Sequence, residues 1–190
     1  GIDYNNVNYN FSDYYVGMHY RLKSGIFTLS PGFTAHAYNS KNSQFSVDYS
    51  DSFFKILPDF NAIIQLKQSE SIRFNYAMRT QFTDVSKIAQ GLVLNNYNSI
   101  FSGDNEIQNA ISHSFNLNYF SFNLFNYTNI FARVSYNKSI DQIRNLTTFE
   151  SVVASSSPFN SPFADENFSA NGRFQRQFGK IRASLSSGIN

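Results

Sequence analysis

The sequence has no cysteine, no tryptophan, few charged residues and no long apolar run. Without cysteine it has no disulfide, no thiolate nucleophile and no thiolate metal site, which fits an oxidising envelope compartment. Charged residues make up 15% of the chain, below the usual ~25%, and the net charge is +2. No charge block indicates a basic nucleic-acid surface. No stretch approaches the ~20 apolar residues of a membrane helix, so only alternating strands remain as a way to span a membrane.

The residues in excess are aromatic: the chain has 21 Phe and 12 Tyr. Membrane barrels use such side chains as lipid-facing anchors and interfacial girdles. Two long alternating segments, joined by Ser24-Gly25, lie within Asp13 to Tyr38. Each is longer than the usual strand of about 5–6 residues and matches the roughly 9–11 residues of a tilted membrane strand. This pair predicts a transmembrane β-hairpin.

Three further hairpins follow, so the sequence predicts an all-β fold. We expect an antiparallel, up-and-down transmembrane β-barrel segment of about eight strands that is part of a larger barrel. Closure of the eight strands into a small, complete barrel stays open as an alternative. Gly1 to Ser12 is expected to be the end of a loop. Short turns are expected at Ser24-Gly25, Gln68–Ser71, within Ser121–Asn126 and at Gln177–Lys180. Long polar connections, expected outside the cell, are Asn39–Ser52, Gln81–Asn109 and Ser139–Glu166. Long loops on one side and short turns on the other are typical of membrane barrels.

The alternation also assigns two faces. The residues predicted to face lipid are Phe27, Leu29, Phe33, Phe74, Tyr76, Phe115 and Leu117. The opposite parity is predicted to line the lumen, and its basic members are Arg21, Lys23, Lys67, Arg73, Arg79, Arg133, Arg173 and Arg182. Two interpretations stay open. The basic wall attracts an anionic substrate or a plug, or these are ordinary polar lumen positions at which Arg packs well.

Residues for catalysis or metal binding are sparse. His19, His36 and His113 are separated in sequence and by face, although His19 and His36 are expected across one hairpin on the lumen side. A metal site needs more ligands and a supporting shell of hydrogen bonds. We therefore expect no metal, no cofactor, no catalytic residues and no enzymatic activity.

Part of the chain resembles a known family. Phe53–Asn61 is similar to the start of a strand in TonB-dependent-receptor-like outer-membrane barrels of the Bacteroidota type, and Ser71–Thr80 is similar to the strand that follows. Gly103–Ala110 lies where that family has a Gly-Asn-Pro motif, although both prolines are missing, and Gln81-Phe82-Thr83 replaces an Arg-Pro. The resemblance implies a large barrel with a plug domain and an energy-coupling protein as partners. Residues 1–190 are then a single, incomplete domain of such a barrel.

The function that this resemblance implies is transport of a ligand across the bacterial outer membrane through a plugged lumen. The alternative is a structural or scaffolding outer-membrane barrel that transports nothing and binds other envelope proteins. A soluble all-β binding module also stays open, and it requires the aromatic face to be buried against a second sheet. The expected partners are outer-membrane lipid and, by family analogy, the plug and the coupling protein. Nucleic acid is not expected to bind.

Overall fold

The structure, a computed structural model, describes residues 7–190. Its one helix, α1, covers Val85–Ile88. The strands are β1 (Val7–His19), β2 (Leu22–Ser24), β3 (Phe27–Gln44), β4 (Val47–Lys67), β5 (Glu70–Gln81), β6 (Val93–Asn96), β7 (Ser99–Phe101), β8 (Ala110–Asn123), β9 (Thr128–Ile140), β10 (Ile143–Glu150), β11 (Val153–Asn160), β12 (Asp165–Phe178) and β13 (Ile181–Ile189). Within the described range, no helix is long and apolar enough to cross a membrane.

The main sheet is antiparallel and runs up and down. Its order is β1-β3-β4-β5-β8-β9-β12-β13, with β2 also paired to β3. Because long strands pair with their neighbours in sequence, the predicted all-β, up-and-down fold class is confirmed. β1 pairs with β3 and β13 pairs with β12, so in residues 7–190 these two strands are the open edges of the sheet.

One face of this sheet is apolar across its whole width. A single row of cross-strand partners runs through Leu22, Leu29, Ala62, Phe74, Leu117, Val134, Ala170 and Ile189. A neighbouring row is aromatic from β4 onward and contains Pro31, Phe60, Tyr76, Phe115, Tyr136 and Phe168. Paired residues share a face, so all seven residues predicted to face lipid lie on this apolar face. Their contact with lipid stays a prediction.

No described residue packs as a second layer on the apolar face. In the described part of the chain, the buried hydrophobic side chains are those of Tyr38 and Ala110, whereas Phe33 is 41% exposed and Val16 and Leu185 are about 70% exposed. A soluble β-sandwich buries such a face against a second sheet. The residues described here provide no such cover, so the arrangement that a soluble module requires is not found.

Four short turns lie at one end of the main sheet, which we call the short-turn end. The predictions at Ser24-Gly25 and Gln177–Lys180 are confirmed, with Gly25 and Gly179 at positive φ. The turn between β4 and β5 lies within the predicted Gln68–Ser71. The β8–β9 turn is at residues 124–127, later than predicted, because β8 continues to Asn123.

The prediction of a loop at Asn39–Ser52 is wrong. β3 and β4 continue as a paired ladder to Gln44 and Val47, and they are joined by a tight turn at Phe45 and Ser46, both with positive φ. Backbone ladder bonds do not require apolar side chains. A strand with polar residues on one face and mixed residues on the other therefore has no hydropathy signal.

The first strand also differs from the prediction. β1 already begins at Val7, so residues 7–12 are strand rather than loop, and the rest of the Gly1–Ser12 prediction lies outside the described residues. The ladder is interrupted between His19 and Leu22, opposite Pro31. Proline has no N–H to donate to the ladder, and the backbone N–H of Tyr20 still donates to the Pro31 carbonyl at 3.0 Å.

The other two long connections are confirmed, and they contain structure of their own. They form a second sheet of order β10-β11-β7-β6. In it β11 pairs in parallel with β7, which joins residues 154–156 to residues 99–101. Asn160 ties the same two connections together: its Oδ1 accepts from the Gln108 N–H at 2.8 Å, and its Nδ2 donates to the Gln108 carbonyl at 2.9 Å.

Candidate functional site: the polar face and its covered end

The face opposite the apolar rows is lined by amides, hydroxyls and arginines. One row of cross-strand partners contains Ser30, Asn61, Asn75, Asn116, Ser135 and Ser169. Side chains bond along it: Asn61 Nδ2 donates to Asn75 Oδ1, and the Ser135 and Ser169 hydroxyls lie 2.6 Å apart. These bonds satisfy polar groups between neighbouring strands, so this face is compatible with water.

The structure places most of the predicted lumen arginines on this polar face. Arg73 and Arg133 lie on either side of Asn118 in one row, and Arg173 is opposite Phe131. The other predicted positions are Arg79 opposite Ser112, Arg182 opposite Gln177, and Arg21 in the gap between β1 and β2. In the described residues, the ion pairs involve none of these arginines. Arg133 instead donates to Asn116 Oδ1 at 3.0 Å. Whether the face lines a lumen stays a prediction.

A small apolar group interrupts the polar face near its short-turn end. Ile63 and Phe131 break the alternation in the sequence, and the structure brings them together with Phe120 around a groove of about 450 Å³ that Arg73 also lines. In the sequence, Ile63 and Phe131 are two separate exceptions to the alternation. Only the register of four strands shows that they are neighbours.

Two histidines of the polar face each pair with an aspartate. His19 Nε2 lies 2.9 Å from Asp59 Oδ2, and the pair reaches across Gly32. A Cβ at Gly32 would lie 2.2 Å from the His19 ring, so the missing side chain is what admits this pair. His36 Nδ1 lies 2.9 Å from Asp13 Oδ1. The two histidines are therefore not directed at each other, and no group of three or more metal-ligating side chains occurs between residues 7 and 190.

The third histidine lies on the other face, as the sequence predicts. His113 Nδ1 is 3.0 Å from the Tyr76 hydroxyl, and the two rings stack. Lys138 is the cross-strand partner of His113 and pairs with Glu166 at 3.0 Å. Aromatic rings therefore give way to charged groups at this level of the apolar face.

Residues 82–109, which we call the covering loop, fold over the polar face at the end away from the short turns. Phe82 packs on Phe11 and Tyr38, with ring centroids 4.8 and 4.9 Å away. Gln44 adds polar ties: its Oε1 accepts from the Gln90 N–H at 2.9 Å, and its Nε2 donates to the Ile88 carbonyl at 3.5 Å. The covering loop is thus held by both aromatic packing and hydrogen bonds.

The covering loop contains α1, and hydrogen bonds hold the chain before and after this helix together. Asp84 caps the helix by accepting from the Ser86 N–H at 2.8 Å, and this backbone bond lowers the pKa of the Asp84 carboxyl. Gly103 closes the loop by donating to the Ala89 carbonyl at 2.9 Å. A Cβ at Gly103 would lie 2.4 Å from that same oxygen, so only glycine fits this approach.

A cavity of about 80 Å³ lies between the covering loop and the main sheet. Its walls come from β1, β3 and β4 on one side and from residues 83–109 on the other, and they include Tyr9, Asn42, Tyr49, Asp51, Asn105 and Asn109. Asn42 is 5% exposed, and neither side-chain atom has a hydrogen-bond partner among the described residues. The sequence contains no sign of this cavity, because it depends on the contact of β1, β3 and β4 with residues 83–109, which are distant from them in the sequence.

Comparisons with known proteins yield a likeness of fold. No family model matches the chain, and no curated protein matches it. Among solved structures, the siderophore receptor PirA from Acinetobacter baumannii matches over 95% of this chain with a TM-score of 0.52 and 9% sequence identity. The chain spans 36% of that receptor's length. The antiparallel, up-and-down fold of this chain is therefore similar to part of the fold of that receptor.

Proposed function

We propose that the chain is part of the barrel wall of a TonB-dependent-receptor-like transporter, which moves a ligand across the bacterial outer membrane through a plugged lumen. The observation that carries this proposal is the uncovered apolar face on a sheet whose long connections all lie at one end. On β3 the apolar parity runs from Phe27 to Ala37. That length fits the roughly 9–11 residues of a tilted membrane strand.

The ends of this apolar stretch support the membrane assignment. Ala37 pairs with Tyr14 on β1 and with Phe54 on β4, so this level is apolar or aromatic. Two residues further along β3, Asn39 pairs with Ser12 and Ser52, so that level is polar. Such a change from apolar to polar over two residues is expected at the edge of a hydrocarbon layer, because burying polar groups in hydrocarbon costs free energy.

The polar face supports a water-filled or plugged lumen. Arg73, Arg133 and Arg173 carry charge without a carboxylate partner in the described residues. Burying unpaired charges is costly, so a narrow lumen closed by side chains alone is disfavoured. A plug domain and an energy-coupling protein are the partners that this function requires, and we propose no catalytic activity for the barrel.

The two edge strands support a larger barrel. An unpaired strand edge in hydrocarbon leaves N–H and C=O groups without partners, each costing several kcal/mol. We therefore propose that β1 and β13 pair with further strands of the same barrel. The 36% coverage of the similar receptor agrees with this arrangement.

The orientation is tested with chymotrypsin on intact cells that express the full-length protein. Tyr97 is 94% exposed in the β6–β7 turn of a long connection, and Phe125 is 99% exposed in a short turn. Cleavage after Tyr97 and protection of Phe125 are expected. The variants Tyr97→Ser and Phe125→Ser identify the cut, and cleavage at Phe125 alone would reverse the orientation.

Transport is tested by comparing cells with and without the full-length chain for the solutes that they remove from the medium. At least one solute is expected to be depleted only when the chain is present, and an uncoupler is expected to stop its depletion. If the protein reaches the outer membrane and depletion is unchanged, the scaffolding alternative holds.

A further inference from the structure

We propose that the cavity under the covering loop binds an uncharged ligand group that both donates and accepts hydrogen bonds, a hydroxyl or a carboxamide, with Asn42 as its anchor. This deepens the proposed function and rests on it only in treating the ligand as cargo. The starting observation is the Asn42 amide, which is almost fully buried and unpartnered among the described residues.

Burying an amide without hydrogen-bond partners is destabilising. Asn42 carries one acceptor oxygen and two donor hydrogens on adjacent atoms. A single hydroxyl or carboxamide satisfies both atoms at once, because such groups also donate and accept. The donor and acceptor pattern of the site therefore defines the chemistry of its ligand.

The charge of the cavity wall excludes anions. Among the described residues that line it, no Lys, Arg or His occurs, and Asp51 is the charged one. Asp51 is exposed, and exposed ion pairs contribute little free energy, so it does not by itself select a cation. The arginines of the polar face are not in the wall. A neutral ligand remains.

Size and shape fit a small part of a larger ligand. The cavity of about 80 Å³ exceeds the ~10–15 Å³ that one water requires. The rings of Tyr9, Phe11, Tyr49 and Phe53 add apolar surface beside the polar groups. Aromatic walls with a few fixed polar atoms are the usual construction of a small-molecule site.

The test uses the purified full-length protein in detergent and saturation-transfer NMR. Four small probes separate the chemistries: acetamide and ethylene glycol are neutral, acetate is an anion, and acetamidinium is a cation close in shape to acetamide. Saturation transfer is expected for the two neutral probes and is expected to be absent for acetate and acetamidinium.

The variant Asn42→Leu has similar volume and no hydrogen-bonding atoms, so it is expected to abolish transfer to both neutral probes. Asn39→Leu, the same change on the same strand at a position of opposite parity, is the matched control and is expected to leave transfer unchanged. If Asn42→Leu does not fold, Asn42→Ala serves in its place. Unchanged transfer to acetamide in the Asn42 variant, equal transfer to acetate, or no transfer to any probe would overturn the proposal. These binding measurements need no membrane gradient. The probes can therefore fail to bind while cells still take up a solute, or bind while no solute is taken up, so the two proposals are tested separately.

Discussion

The same three strands, β1, β3 and β4, have opposite sidedness in their two halves. Up to the level of Ala37, most of their apolar residues share the uncovered face and their polar residues share the other, with Tyr15, Leu57 and Ile63 as the exceptions. Beyond that level the uncovered face becomes polar, with Asn39, Lys41 and Ser43 on β3. The opposite face becomes aromatic, with Tyr38 packed against Phe11 and Phe53.

Strand pairing does not change between the two halves, since the register of β3 with β4 is continuous from Phe27 to Gln44. What differs is the surroundings. We call the part up to the level of Ala37 the lower half and the part beyond it the upper half. The apolar side of the lower half is uncovered, as in a strand that faces lipid. The apolar side of the upper half packs against the covering loop, as a strand of a soluble protein packs on its core. The face that carries the apolar side chains thus changes with what surrounds the strand, while the backbone hydrogen bonds between the strands stay the same.

The largest effect is expected for removing the aromatic ring at the centre of the upper half. Tyr38 is 2% exposed and contacts Phe11, Phe53 and Phe82. Tyr38→Ala should lower the free energy of unfolding by about 3–5 kcal/mol, measured by urea titration of the refolded protein. Tyr38→Phe keeps the ring and should cost far less. Equal losses would show that packing is not what the ring contributes.

The next effect tests the lower half. Phe33 lies midway along the apolar stretch of β3, and Thr34 is its neighbour on the polar face. Phe33→Arg should cost about 2–4 kcal/mol if the face is in lipid, whereas Thr34→Arg should be tolerated. A folding titration into lipid vesicles measures both, and equal costs would contradict the proposed membrane topology.

A smaller effect is expected at the covering loop alone. Gly103→Ala places a Cβ against the Ala89 carbonyl oxygen, and such overpacking typically costs 1–3 kcal/mol. The amides of Gly103 and Asp104 should exchange faster with deuterium, while the amides of β5 and β8 should not change. Gly172→Ala is the control, because the nearest atom to its Cβ would be 3.8 Å away. Faster exchange throughout the main sheet would show that the two halves are not independent.

The smallest effect concerns pH. The bond from the Ser86 N–H holds the pKa of Asp84 below its ordinary value, which is about 3.9 in an unfolded chain. The cap therefore stabilises α1 fully above that pH and is lost as the pH falls through the lowered pKa. Exchange of the Ser86 amide should speed up there. Asp84→Asn keeps the cap and should remove the pH dependence, and a dependence that persists would assign the titration to another group.

The lower half could be predicted from the sequence because one parity of each strand there is apolar throughout, which gives a clear alternation. It missed the upper half of β3 and β4, since Asn39 to Gln44 gives no hydropathy contrast. The cavity and the second sheet were also out of reach. The burial of Asn42 depends on residues 83–109, and the pairing of β7 with β11 depends on two separate hairpins lying side by side.

The parallel pairing of β7 with β11 has a consequence for the order of assembly. It connects residues 99–101 with residues 154–156, and β8 and β9 lie between them in the chain. Closing so long a loop has an entropic cost that local hairpins do not have. We therefore expect the hairpins of the main sheet to form first and the second sheet to form last. The slowest refolding phase should then report on the β7–β11 contact.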